Sequence, residues 1–170
     1  MTDGPTSRPA AWKPVAVRPH VVVISDEPDL RDFFVQGLLM AGFWTSAVAS
    51  GIQALEVFRM RQFDLILIDA QIAGLPAVEI IRRLRGLSER GSEGLTQVPV
   101  VVAGANPGRS ERDAFERVAV EEFLDPTMEL EEVALRLMDI VTLWRVTHPD
   151  EPWADASVSQ SRGPRDPSAP

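Results

Sequence analysis

Short apolar runs alternate along the chain with longer segments whose apolar residues recur every three or four positions. The first run, His20–Ile24, has five residues and is rich in β-branched side chains, which is typical of a strand buried on both faces. Similar runs lie at 43–48, 65–68 and 98–102, with a brief one at 122–124. The segments with helical spacing begin at Pro28 and then cover 51–62, 77–85, 109–118 and 128–146.

Five strand–helix pairs with short connections predict a doubly wound α/β fold, in which helices cover both faces of a five-stranded parallel sheet. We expect this domain to occupy residues 20–146. Nine of the 14 prolines lie outside it, four before residue 20 and five after residue 148. Because proline removes backbone donors and breaks helices, we expect disordered tails at 1–19 and 147–170, with no attached output domain.

Composition narrows the classes of function. The net charge of −8 argues against a nucleic-acid groove, which needs a clustered positive surface. The chain has no cysteine and only two histidines, which excludes thiol catalysis, disulfides and histidine-rich or thiolate metal centres. No apolar run approaches the roughly 18 residues of a membrane span, and the N-terminus lacks the apolar region of a signal peptide. We therefore expect a cytoplasmic protein without membrane or nucleic-acid partners.

Acidic residues follow two of the predicted strands. Ligands bind at the carboxyl ends of the strands in such sheets, and there Ser25 and Asp26 follow the first strand and Asp69 the third. Two carboxylates with water and a backbone carbonyl can hold Mg²⁺, and an aspartate beside that ion can act as a nucleophile towards phosphorus. The alternative is that Asp26 only caps the helix that begins at Pro28.

Several stretches around these residues resemble the receiver domain of bacterial response regulators. They are 24–28 (ISDEP), 42–55, 63–69 (FDLILID), 79–85, 98–101 and 123–126, so that the resemblance covers about residues 20–144. It implies a (βα)5 domain that accepts a phosphoryl group from a histidine kinase or phosphotransfer protein. It also implies that Asp69 is the phosphoacceptor and that Asp26, Asp69 and the backbone carbonyl of Gln71 hold Mg²⁺.

The chain departs from the family pattern at switch positions, which are Ser25, Gly104, Phe123 and Asp125. Ser25 replaces the first residue of an acidic pair, which weakens the Mg²⁺ site. Gly104 replaces a hydroxyl residue that hydrogen-bonds the phosphoryl group. Asp125 stands where the family has a lysine that contacts the phosphoryl oxygens, and the only lysine of this chain is Lys13. A negative charge there costs on the order of 3 kcal/mol per charge pair. An arginine could substitute for the lysine, and Arg109 is the candidate that we consider.

Two mechanisms fit this pattern. In the first, the domain is a stand-alone, degenerate receiver that acts through protein–protein binding. In the second, a histidine kinase phosphorylates Asp69. A third class, a small α/β enzyme or nucleotide-binding protein, lacks the glycine-rich phosphate loop and a histidine near the strand ends. We predict the first mechanism, no enzymatic activity, and a downstream partner or a second copy of the chain on the face formed by 109–146.

Overall fold

Strands and helices alternate in the order that the hydrophobic pattern predicts. The structure is a computed structural model and describes residues 17–88, 93–104 and 106–154. The elements within these residues are β1 (His20–Ile24), α1 (Pro28–Met40), β2 (Trp44–Val48), α2 (Gly51–Met60), β3 (Leu65–Asp69), α3 (Ala77–Leu84), β4 (Val100–Ala103), α4 (Arg109–Glu116), β5 (Glu122–Phe123) and α5 (Leu130–Thr147). The predicted doubly wound fold is confirmed, with boundaries that differ by one or two residues.

The five strands form one parallel sheet in the order β2-β1-β3-β4-β5. Every residue of β1, β3 and β4 is buried, as expected for strands with helices on both faces. Because all pairs are parallel, the carboxyl ends of the strands share one edge, which we call the upper edge. The amino ends share the opposite edge, the lower edge.

Alternate residues of the central strands point into two separate cores. The core under α1 and α5 takes Val21 and Val23 of β1 with Leu65 and Leu67 of β3. The core under α2, α3 and α4 takes the residues between them, such as Val22 and Ile66. This period of two explains why the runs are apolar throughout. None of the described helices is long and apolar enough to cross a membrane.

The strand before the fourth helix begins later than the pattern predicts. The apolar run starts at Val98, but β4 starts at Val100. Pro99 has no amide hydrogen to donate to a sheet, although its carbonyl accepts a hydrogen bond from the Ile66 amide at 3.0 Å. Pro99 therefore accepts one hydrogen bond from β3 but donates none to the sheet.

The described parts of both predicted tails lie against the domain. Arg18 donates hydrogen bonds to the carbonyl of Leu39 in the last turn of α1 and to those of Gly42 and Phe43 just after it. At the other end α5 extends to Thr147, residues 148–153 are exposed, and Ala154 is buried with its amide bonded to Asp64 just before β3. The remaining residues of these two predicted tails, 1–16 and 155–170, lie outside the described residues.

His20 is a fully buried titratable group at the lower edge of the sheet. Its ring lies 2.9 Å from the hydroxyl of Ser46 and accepts a hydrogen bond from Arg61 at 3.2 Å, and it packs edge-on against Phe63. Burial, followed by the positive charge of Arg61, lowers the pKa of His20 to about 4. The ring is therefore neutral in the folded protein at pH 7.

We expect His20 to make the fold sensitive to acid. In the unfolded chain it takes up a proton below about pH 6.5, whereas the folded protein does so only near pH 4. Stability is therefore lost as the pH falls through this window, by about 2 kcal/mol between pH 7 and pH 4.5. Urea unfolding of the wild type and of His20→Gln at both pH values measures this term. An equal loss in the two proteins would contradict it.

Candidate functional site

The upper edge brings together the two residues that sequence analysis placed after β1 and at the end of β3. Ser25 is buried, and its hydroxyl donates a hydrogen bond to Oδ2 of Asp69 at 2.8 Å. The same hydroxyl oxygen accepts a hydrogen bond from the Glu27 amide at 3.1 Å. Ser25, which stands where the sequence comparison predicts an acid, therefore contacts the predicted phosphoacceptor directly through an uncharged hydroxyl.

Asp69 is itself almost completely buried, with 8% of its surface exposed. Its second oxygen, Oδ1, accepts a hydrogen bond from the Gln71 amide at 2.9 Å. Each carboxylate oxygen thus accepts one hydrogen bond from the part of the chain that the structure describes. The carboxylate is held in one orientation by the β1 and β3 ends together.

Asp26 ties two loops of the upper edge to each other. It is exposed, and its Oδ1 accepts a hydrogen bond from the Ala73 amide at 3.0 Å, across 47 positions of sequence. The first residue before α1 is Glu27, and no side chain caps this helix. Asp26 therefore binds the loop after β3 instead of acting as a helix cap, which was the alternative interpretation.

Gly104 follows β4 and lies directly beside Asp69. Its φ angle is +104°, a conformation that side chains with a Cβ rarely adopt. A Cβ added there would lie 3.1 Å from Oδ1 of Asp69. The backbone at this position therefore favours glycine, and any side chain there would contact Asp69.

Phe123 and Asp125, the two residues in and after β5 that are predicted to depart from the family pattern, lie in different surroundings. Phe123 is half-buried, packs edge-on against Phe115 and lies under the guanidinium of Arg112 at 4.7 Å. Asp125 is exposed, and its Oδ1 accepts hydrogen bonds from the amide and the hydroxyl of Thr127 at 2.8 and 2.7 Å. These bonds lower the pKa of Asp125, so that a negative charge stands at the position of the family's lysine.

Sequence analysis missed one basic residue at the upper edge. Arg31 lies one turn into α1, and its Nη1 donates a hydrogen bond to the carbonyl of Ser25 at 2.7 Å. The Ser25 amide bonds to Val48 of β2, so that this carbonyl points towards β2 and away from β3. Arg31 therefore fixes the β1–α1 loop. Arg109, the substitute considered from sequence, is exposed at the first position of α4.

The donors that the upper edge offers to a cation are all hard oxygen atoms. Asp26 and Asp69 supply two carboxylates, and the backbone of Gln71 lies beside Asp69. In the described part of the chain, no three histidine, cysteine or acidic side chains form a metal-binding group. Two carboxylates and one backbone carbonyl are oxygen ligands of the kind that Mg²⁺ takes, and water would supply the other three of its six ligands.

The family assignment follows from a match that spans most of the domain. The model of the response regulator receiver domain matches residues 21–137. The chain belongs to this family. It is 25% identical over 132 residues to the response regulator MprA of Mycobacterium sp. (strain KMS), covering 78% of this chain and 53% of MprA. The chain thus spans about half the length of the curated relatives that it matches first.

Solved structures confirm the fold. The chemotaxis protein CheY4 of Vibrio cholerae aligns with a TM-score of 0.65 at 18% identity, over 73% of this chain and 99% of CheY4. The receiver domain of the sensor histidine kinase PA1611 from Pseudomonas aeruginosa aligns with a TM-score of 0.63 at 21% identity, over 74% of this chain and 99% of that domain. The PA1611 domain carries a magnesium ion in its active-site cleft.

Membership places the chain in two-component signal transduction. Receiver domains are signalling domains that bind Mg²⁺ in their active site, and response regulators interact with histidine kinases or phosphotransfer proteins. Two of the four predicted departures, Ser25 and Gly104, lie directly beside Asp69 in the structure. Their roles as departures from the family's switch stay predictions.

We expect Gly104→Ala to destabilise the domain by about 1–3 kcal/mol, because the new Cβ is strained at this φ and contacts Asp69. Two other glycines separate these effects. Gly74 also has positive φ but open space around it, whereas Gly108 has a φ of −64° and open space. Urea unfolding should rank the alanine variants as Gly104 most destabilised, followed by Gly74 and then Gly108, where alanine costs only the small N-cap preference for glycine before α4. Equal effects at 104 and 108 would refute the strain.

Proposed function

We propose that this chain is a receiver that signals mainly through protein–protein binding and whose phosphorylation switch at Asp69 is weakened. The observation that carries the proposal is the state of the Asp69 carboxylate. The Ser25 hydroxyl and the Gln71 amide donate hydrogen bonds to its two oxygens, and Gly104, which follows β4, lies directly beside it. The acceptor is present, but the groups that would stabilise and read a phosphoryl group on it are not.

Charge supports a weak switch. A phosphoryl group on Asp69 would bring about −2 into a buried site. Lys13 is the only lysine of the chain and precedes the domain, and Asp125 adds a negative charge at the position that family members use for a positive one. Asp125 is exposed, so that solvent screens part of this repulsion, and the loss of the positive charge is the larger effect.

The proposed metal site is weak for a related reason. Asp26, Asp69 and the carbonyl of Gln71 would hold Mg²⁺, which when bound offsets negative charge on a phosphoryl group. The Ser25 hydroxyl occupies a lone pair of Asp69 Oδ2 and supplies no charge of its own. We therefore expect a lower affinity for Mg²⁺ than in receivers with an acid at this position.

Helix α5 supports binding of a partner. Leu135, Leu143 and Val146 are 70%, 68% and 72% exposed and lie on one side of this helix. Three large exposed apolar side chains on one helix indicate an interaction surface. We propose that the face formed by 109–146 binds a downstream protein or a second copy of the chain, while a histidine kinase or phosphotransfer protein remains the upstream partner.

Phosphorylation at Asp69 has a direct test. In the transfer, a bond forms between a carboxylate oxygen of Asp69 and phosphorus while the bond to the donor group breaks. After incubation with Mg²⁺ and acetyl phosphate, we expect little adduct of phosphoryl mass on the wild type and more on Asp125→Lys. Intact-mass spectrometry measures the labelled fraction, and Asp69→Asn controls for modification elsewhere.

A stable adduct on most of the wild-type protein, absent from Asp69→Asn, would refute the weakened switch and favour an ordinary phosphoacceptor. If Asp125→Lys shows no increase, the electrostatic argument is wrong. Binding of a partner that Asp69→Asn abolishes would likewise contradict signalling without phosphate.

The metal site is tested by restoring the acid. Ser25→Asp places a second carboxylate against Asp69, and the repulsion between them is relieved when Mg²⁺ binds. We expect Mg²⁺ to raise the Tm of Ser25→Asp more than that of the wild type. Ser25→Asn has the same shape without the charge and should respond like the wild type. An equal Mg²⁺ response in all three proteins would show that Ser25 does not limit the site.

A further inference from the structure

The chain does not leave the domain at the end of α5. Residues 148–154, which we call the strap, turn back beneath the lower edge of the sheet. The Glu151 amide donates a hydrogen bond to the carbonyl of His148, and the ring of His148 stacks on Trp144 of α5 at 4.2 Å. The last described residue, Ala154, is buried. A segment with two prolines in seven residues is thus held against the domain by specific contacts.

Arg145 of α5 contacts three residues of the strap. Its Nη1 donates hydrogen bonds to the carbonyls of Glu151 and Pro152, the second at 3.0 Å. Its guanidinium also lies 4.1 Å from the ring centre of Trp153 and 5.2 Å from that of Trp144. The Arg145 side chain therefore binds the backbone of the strap and also packs against the ring of its tryptophan.

Asp64 completes the anchor from the sheet. Its side chain is fully buried just before β3, where Oδ1 accepts hydrogen bonds from Nη2 of Arg145 at 2.5 Å and from the Ala154 amide at 3.0 Å. Oδ2 accepts one from the His20 amide at 2.7 Å. A buried carboxylate needs such partners, and one of the three belongs to the strap.

We propose that the lower edge of the sheet is a docking site for residues 148–154 and that the strap acts as a latch fixing where the chain leaves the domain. The contacts are those of a bound peptide: two carbonyls on a guanidinium, one amide on a buried carboxylate and one aromatic ring on the same guanidinium. Ala154 then lies at the edge of the sheet opposite Asp69. The latch is separate from the proposed phosphoacceptor, since Asp64 precedes β3 and Asp69 is its last residue.

Hydrogen exchange at the Ala154 amide of the full chain tests the latch. In the wild type we expect this amide to exchange at least tenfold more slowly than in an unstructured peptide. Trp153→Ala removes the ring and leaves the Asp64–Arg145 pair, and it should abolish that protection while the amides of β3 stay protected. Trp44→Ala is the matched control, because Trp44 also stacks on an arginine, Arg18 at 4.3 Å, but lies on β2.

A second variant acts on the anchor itself. Arg145→Lys keeps a cation for Asp64 but loses the planar fork and the stacking, so Ala154 should lose protection here too. An unprotected Ala154 amide in the wild type, or unchanged protection in both variants, would overturn the latch. Asp69→Asn should leave Ala154 protection unchanged, so that failure of the latch and failure of the proposed signalling mode give different results.

Discussion

The parallel pairing of β3 between β1 and β4 is the constraint on which the rest of the structure depends. Five apolar or acidic positions, Leu65–Asp69, are buried on both faces, so that the strand fits only in the middle of the sheet. Register with β1 then brings Asp69 to the end where Ser25 lies. The same register places Asp64 beneath the sheet, beside the start of β1. One strand thus positions a carboxylate at each edge.

The carboxylates of Asp64 and Asp69 have different kinds of hydrogen-bond partner. Asp64 has a charged partner in Arg145, and it is fully buried in a network that joins β1, α5 and the strap. Among the described residues, Asp69 has neutral donors, a hydroxyl and an amide, and it keeps a small exposed surface. Asp64 therefore ties three elements of the fold together through a charged pair, whereas Asp69 lies at the upper edge with hydrogen bonds to uncharged groups.

Local pattern was enough to predict the elements and the sheet, because each strand is a short apolar run, and to predict that Ser25, Asp26 and Asp69 lie at the same edge. Contacts between distant residues could not be predicted in this way. Ser25 and Asp69 are 44 positions apart, and Asp64 and Arg145 are 81 apart. Proline content predicted disorder from 147 onwards, whereas residues 148–154 are held by partners that no local rule reveals. The positive φ at Gly104 could likewise not be predicted from the sequence, because glycine adopts positive and negative φ with similar ease.

The left-handed backbone at Gly104 has a consequence for which substitutions this receiver can accept. A hydroxyl side chain at 104 would be strained, because its Cβ would lie 3.1 Å from the Asp69 oxygen at a φ of +104°. Ser25 and Asp125 do not have a positive φ, so that an acid at 25 or a lysine at 125 meets no such strain in the backbone. Charges at this edge can therefore be changed by single substitutions, whereas a hydroxyl at 104 fits without strain only if its loop changes conformation as well.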